Sequence, residues 1–553
     1  MGSLARLALA LLVALAVAGC DGEGLRFPAA QTSPDGGDQG NGDEQEGEPE
    51  PVPEDTRNLG TWVTSYADDW VDSSALYGVQ QYAASVNLRR TGTELSGTGT
   101  VFRVFNEGPK DHDELSIRLS GSISGDDATA TVTSATGGRV EDSPVWRLRF
   151  AGNLMVGMYT SFDVSQDAVR SGHALWRRLS TGSLDDTWVS GFTDGFGTRS
   201  WPARDRTGTL VLDVAEEDSA LSGQGNFIEQ RDGDVALDVE FNVIRGEVSG
   251  SEVTFSLGEL SLENNDMDWY GFFSNGVIVG AYAQFDADND LVRYGHATWQ
   301  DAPAAVPEDV SYRWVTAFTD STGATGHERL DYLLSVELEA EEDNVVSGSG
   351  EFMATDGDME TFRTVVVENA TVVGSRLQMD TRVIGTGEFF TWDLRLADSI
   401  LVGSYQHFGA LGNFLSRGSA EWRRDRTSLT DVVGTWVGAY FDTLSENTRG
   451  ETTHMAMVTV REQLAEGPLS GSGVLRLGNG ETGRRFFDLR DSSAEGEDIL
   501  WVWRGADLFG DTVWRLRQAG NWLYGVYLNE NSTGNFEARG SAVWVRTTQT
   551  DVF

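Results

Sequence analysis

Trp514-Arg515-Leu516-Arg517 alternates apolar and charged side chains, so a strand through it shows one apolar and one charged face. The same period of two runs outward in both directions. Eight strands are expected in this part of the chain, around Thr435–Phe441, His454–Arg461, Ser470–Leu477, Arg484–Leu489, Ile499–Trp503, Thr512–Arg517, Trp522–Leu528 and Arg539–Val545. Gly, Asn, Asp and Ser turns separate them, and no stretch of similar length carries a capped helical pattern. Consecutive antiparallel strands in this number close into an up-and-down eight-stranded β-barrel, which leaves no exposed edge. A β-sandwich is the alternative.

This unit occurs four times. Trp62, Trp188, Trp314 and Trp436 open the copies, at spacings of 126, 126 and 122 residues. Leu95-Ser96-Gly97 is echoed by Leu221-Ser222-Gly223, Val346-Ser347-Gly348 and Leu469-Ser470-Gly471. Trp146, Trp269, Trp392 and Trp514 follow, then a Gly-x-Tyr mark ending in Tyr159, Tyr282, Tyr405 and Tyr527. An Ala-x-Trp mark closes each copy at Trp176, Trp299, Trp422 and Trp544. A unit of about 110 residues is domain-sized and much longer than a solenoid or propeller repeat. The expected organisation is all-β, with tandem barrels at 58–180, 184–303, 310–425 and 430–553.

Gly60-Thr61-Trp62, Gly434-Thr435-Trp436 and the order of the later marks resemble avidin and streptavidin, and more broadly the lipocalin-like eight-stranded barrels. The resemblance implies a cup with a small-ligand cavity at one end. The avidin positions that contact biotin are not kept. Thr64, Ser190, Thr316 and Gly438 stand where that family has asparagine, and Asp68, Asp194, Asp320 and Asp442 where it has serine. Its tyrosine after the Ser-Gly turn falls on Gly99, Gly225, Gly350 and Gly473.

Twelve of the seventeen tryptophans lie in the repeated marks and read as core. Trp70 and Trp201 fall instead in the variable connection after the first strand, which overhangs the mouth of a lipocalin-like barrel, and are candidate ligand contacts. The first strands run Trp62, Thr64, Tyr66, Asp68 on one face, repeated as far as Asp194, Asp320 and Asp442. Each of these four aspartates is either a turn former bonding backbone two residues on or a carboxylate at a cavity rim. Asp286-Ala287-Asp288-Asn289-Asp290 lacks the glycine and distal glutamate of a calcium loop and reads as an acidic turn. His173 and His296 match one another but give way to Ser419 and Ser541, so a surface or edge position is expected for them. No metal-ligand spacing, nucleophile elbow or phosphate loop is present, and no cofactor is implied.

At the other end of the chain, Arg6 precedes an apolar run from Leu7 to Val17, too short to span a bilayer and laid out as an export signal. It leads into Val17-Ala18-Gly19-Cys20, which resembles the lipobox of bacterial lipoproteins. That resemblance implies a signal peptide over 1–19, cleavage, and lipid on Cys20, the only cysteine in the chain. Residues 20–57 are Gly-, Pro- and acid-rich and read as a flexible tether. The net charge of −45 argues against nucleic acid as partner. Taken together, these features lead us to expect a lipid-anchored, non-catalytic envelope protein whose barrels bind a small molecule or glycan. The alternatives are a structural spacer with filled barrels and, behind it, a carbohydrate-active enzyme. Neither the oligomeric state nor the membrane that carries it is encoded in any motif.

Overall fold

The computed structural model describes residues 56–547 apart from 73–77, 108–109, 135–143, 164, 216–218, 235, 261–264, 275, 303–306, 356–358, 360–361, 426–430, 446–451, 464–466, 479–482, 506–507, 509 and 532–535. The export signal, Cys20 and the tether as far as residue 55 lie outside them, while Thr56 and Arg57, expected at the end of the tether, begin the first strand, Thr56–Ala67.

In the last copy the eight strands are Gly434–Phe441, Thr453–Gln463, Gly467–Leu477, Arg485–Glu495, Asp498–Arg504, Gly510–Ala519, Trp522–Asn531 and Phe536–Thr547. Each is antiparallel to its sequence neighbour, and the first also pairs with the last, Trp436 opposite Arg546 and Val437 opposite Val545. The sheet therefore closes. The other three copies close in the same way, through Val63 and Arg177, Val189 and Gln300, and Val315 and Arg423. The sandwich is excluded. The only helical pieces among the described residues are the 3-10 turns Pro307–Val310 and Glu342–Asn344.

Period-two patterning fills each interior. All twelve repeated tryptophans are buried. The first indole of each copy donates to a carbonyl three or four residues upstream, of Leu59, Leu184, Val310 or Val432. Those four residues are themselves buried in the barrel cores, so they plug one end of each barrel. The opposite end carries the aspartates.

The four barrels also form a ring. The first two strands of each of the first three barrels pack on the last three of the next, and the first two strands of the fourth pack on the last two of the first. The residue after the first tryptophan, Val63, Val189, Val315 or Val437, points outward and is fully buried in a seam. Val63 meets Phe272 and Val279, Val189 meets Val402, Val315 meets Tyr524 and Val526, and Val437 meets Val156 and Met158. A head-to-tail contact repeated four times closes when its rotation returns the chain to its start. Between the second and third barrels the backbones touch so closely that a Cβ on Gly191 would collide with the backbone of Gly403.

Candidate functional site

Each aspartate at the end of a first strand is buried, at 4 %, 4 %, 0 % and 3 % exposure for Asp68, Asp194, Asp320 and Asp442. None bonds backbone two residues on. One carboxylate oxygen accepts a backbone N–H ten or twelve residues downstream: Gln80 at 2.8 Å, Arg204 at 2.8 Å, Leu330 at 3.0 Å or Thr452 at 3.1 Å. The other accepts the hydroxyl of the Gly-x-Tyr tyrosine: Tyr159 at 2.5 Å, Tyr282 at 2.6 Å, Tyr405 at 3.0 Å or Tyr527 at 2.5 Å. The ring reaches that far because a glycine lies opposite it. A Cβ on Gly172, Gly295, Gly418 or Gly540 would stand 2.5–2.9 Å from the tyrosine oxygen. These glycines sit two residues before the Ala-x-Trp alanine, a regularity in the sequence that signals the site.

The third partner changes from copy to copy. Arg170 donates to Asp68 at 2.7 Å, Arg206 to Asp194 at 2.6 Å, Tyr332 to Asp320 at 2.9 Å, and His454 meets Asp442 at 2.9 Å. Burial raises the Asp68 and Asp194 carboxyls above the usual range, against the arginines that lower them. Burial dominates at Asp320 as well and raises it. With their oxygens occupied, the aspartates hold neighbouring side chains in place. Those neighbours face the barrel interior.

In the first barrel that interior is open. A cavity runs from Tyr66, Gln80, Tyr82, Tyr159 and Arg170 at the aspartate end down to Trp146 and Trp176. Its walls are aliphatic, among them Ala84, Val86, Val101, Ile117 and Val132. Register explains why space remains here. Opposite the second tryptophan stand Ala130, Phe255, Met379 and Trp501 in the four copies. Val101 corresponds to Phe227, Phe352 and Leu475, and Ile117 to Phe241, Val365 and Phe487. The larger rings fill the later barrels. Phe227 and Phe241 are 4.6 Å apart, Phe390 stacks on His407 at 4.1 Å, and Phe487 stacks on Trp503 at 4.3 Å. The fourth barrel keeps a recess at its rim, bordered by Tyr440, Asp442 and His454.

Two groups in the first cavity are open to a ligand. Gln80 Nε2 is buried without a partner, and the Tyr66 hydroxyl has none among the described residues. The arrangement therefore has an apolar body and a polar end offering a hydrogen-bond donor from each of two side chains.

Trp70 bridges to Ser171 of its own last strand and is half-buried, and Trp201 lies half-buried with the Arg293 guanidinium 5.4 Å from its ring. Neither borders the first-barrel cavity. Asp286 accepts the backbone N–H of Asp288 and of Asp290, an acidic turn. His173 and His296 are not at an outer edge. Both border a cavity among the four barrels, His173 beside Asp69 at 2.6 Å and His296 beside Gln81 at 2.5 Å. They reach it because the last strand of each barrel faces the neighbouring barrel.

No family model matches the chain, and no curated protein matches it. Among solved structures, a protein of unknown function from the DUF3598 family of Nostoc punctiforme is 13 % identical, with a TM-score of 0.16, over 44 % of this chain and 100 % of that one. Isotype 1 transferrin binding protein B of Neisseria meningitidis is 10 % identical, with a TM-score of 0.21, over 72 % of this chain and 84 % of that one. A double mutant of transferrin binding protein B from Haemophilus parasuis is 8 % identical, with a TM-score of 0.20, over 89 % and 95 %. At such TM-scores no ligand or barrel arrangement carries over from them.

Proposed function

We propose that this chain is a lipid-anchored, non-catalytic binding protein of the bacterial envelope, and that its first barrel holds the ligand. The observation that carries the proposal is the difference between copies: one interior is open where equivalent positions elsewhere bear phenylalanine, methionine or tryptophan. An aliphatic wall suits a small, mostly apolar molecule better than a glycan. The Tyr66 hydroxyl and Gln80 amide at the polar end suit a carbonyl, carboxylate or hydroxyl on it. The later barrels then serve as scaffold, which keeps part of the spacer reading for them.

The test installs in the first barrel the residue that the second barrel uses, Ala130→Phe. Titration of the full-length protein with an environment-sensitive apolar fluorophore should give saturable binding that Ala130→Phe abolishes, with the β-type circular dichroism retained. Equal binding by wild type and variant, or no saturable binding by wild type, refutes the assignment.

A further inference from the structure

A second cavity, of about 1190 Å³ with its mouth, lies where the four barrels meet and is bordered by residues from every one of them. Its lining departs from the four-fold repetition. Tyr524 occupies the position held by Val156, Val279 and Val402 in the other copies. Its hydroxyl is buried without a hydrogen-bond partner among the described residues, and the Arg423 guanidinium lies beside it. An N–H of Arg423 directed at the tyrosine oxygen would leave the O–H proton free, because guanidinium accepts nothing.

The Arg177 side chain borders the same space and has no hydrogen bond or ion pair among the described residues. Its counterparts are Gln300, Arg423 and Val545. Arg423 is committed: it pairs with Glu421 at 2.9 Å and lies 3.8 Å from the Trp522 ring centre. The other nearby acid, Asp69, is taken by His173 at 2.6 Å and Thr453 at 3.1 Å. Glu421 is thus held by Arg423 and Asp69 by His173 and Thr453, which leaves the Arg177 guanidinium without a carboxylate paired to it. A polar group where three copies have valine, beside an unpaired cation, costs stability unless something occupies the space.

We propose that the four-barrel junction binds a small oxyanion, a carboxylate or a phosphate group, held by Arg177 and the Tyr524 hydroxyl. Trp522, Leu175 and Val543 leave an apolar wall for any carbon attached to it. The site shares one lining residue, Tyr66, with the first-barrel cavity, and neither Arg177 nor Tyr524 borders that cavity.

The test is titration of the full-length protein with inorganic phosphate and, separately, acetate, against chloride at matched ionic strength, read by calorimetry and thermal shift. One of the two should bind saturably. Arg177→Gln should weaken it about tenfold to a hundredfold, as loss of a charge-assisted hydrogen bond does, and Tyr524→Phe by a smaller factor. Ala130→Phe, in the first barrel, should leave it unchanged. No saturable binding by wild type, or equal binding by Arg177→Gln and Tyr524→Phe, overturns the proposal. If Arg177→Gln fails to fold, Tyr524→Phe alone decides.

Discussion

The second barrel holds four buried charges in balance, which makes Asp194 the most informative residue to remove. Arg206 is fully buried and donates to Asp194 at 2.6 Å and to Glu229 at 2.9 Å. Arg293, 1 % exposed, stands 3.6 Å from Asp194. Two carboxylates thus meet two fully buried guanidiniums, with the half-buried Arg204 beside Glu229. Asp194→Ala strands one positive charge and also strips Tyr282 and the Arg204 N–H of their acceptor. Asp442→Ala strips the equivalent tyrosine and backbone N–H, but its third partner is His454 rather than an arginine. The losses shared by the two variants cost about 1–3 kcal/mol per orphaned donor. An uncompensated buried charge costs about 3–5 kcal/mol, so Asp194→Ala should exceed Asp442→Ala by about 3 kcal/mol. Asp194→Ala/Arg206→Met restores the balance, with Glu229 facing Arg293, and should recover most of that excess. Four packed barrels need not unfold in one step, so the assay is native-state hydrogen exchange read barrel by barrel. Exchange in the second-barrel strands should quicken about a hundredfold more for Asp194→Ala than it does in the fourth barrel for Asp442→Ala. A double variant no more protected than Asp194→Ala, or equal costs at Asp194 and Asp442, would refute the charge-balance reasoning.

Replacing Cys20 by Ala should shift the protein from the membrane to the soluble fraction or leave it unprocessed. Intact mass showing a mature wild-type chain with bare Cys20 would sink the lipid anchor. Gly191→Ala should loosen the seam between the second and third barrels by about 1–3 kcal/mol, seen as faster exchange in Val189 and Ile400 peptides. Unchanged protection there would mean the backbones are not in tight contact. Burial holds His296 neutral down to about 4 against an ordinary 6.5, so its contribution to stability is lost as pH falls between those values. Burial pushes Asp331 up from 3.8 to about 6, so its contribution is lost as pH rises between those values. The two slopes oppose one another. His296→Gln should therefore make the melting temperature fall more steeply than wild type as pH rises from about 4 to 6, and parallel profiles would contradict this.

Local chemistry made most of each barrel legible. In the last copy all eight strands fall where period-two alternation and turn residues place them, because the inward face of a closed barrel must be apolar at every second residue. The twelve repeated tryptophans are core for the same reason. The aspartates could be singled out as a set, but not what they touch. Their partners lie across the barrel, at Tyr159 for Asp68 and Tyr527 for Asp442, and only barrel closure brings those strands together.

Two matters were decided by the tertiary structure alone. The ring depends on the valine after each first tryptophan, and an apolar residue on an outward face does not say which surface covers it. The open first barrel depends on register, since Ala130 and Phe255 correspond only once each is set opposite its tryptophan. A sequence states which faces are apolar. Where the side chains on those faces meet, and whether they leave space between them, is settled by packing, a property of distances between strands far apart in the chain.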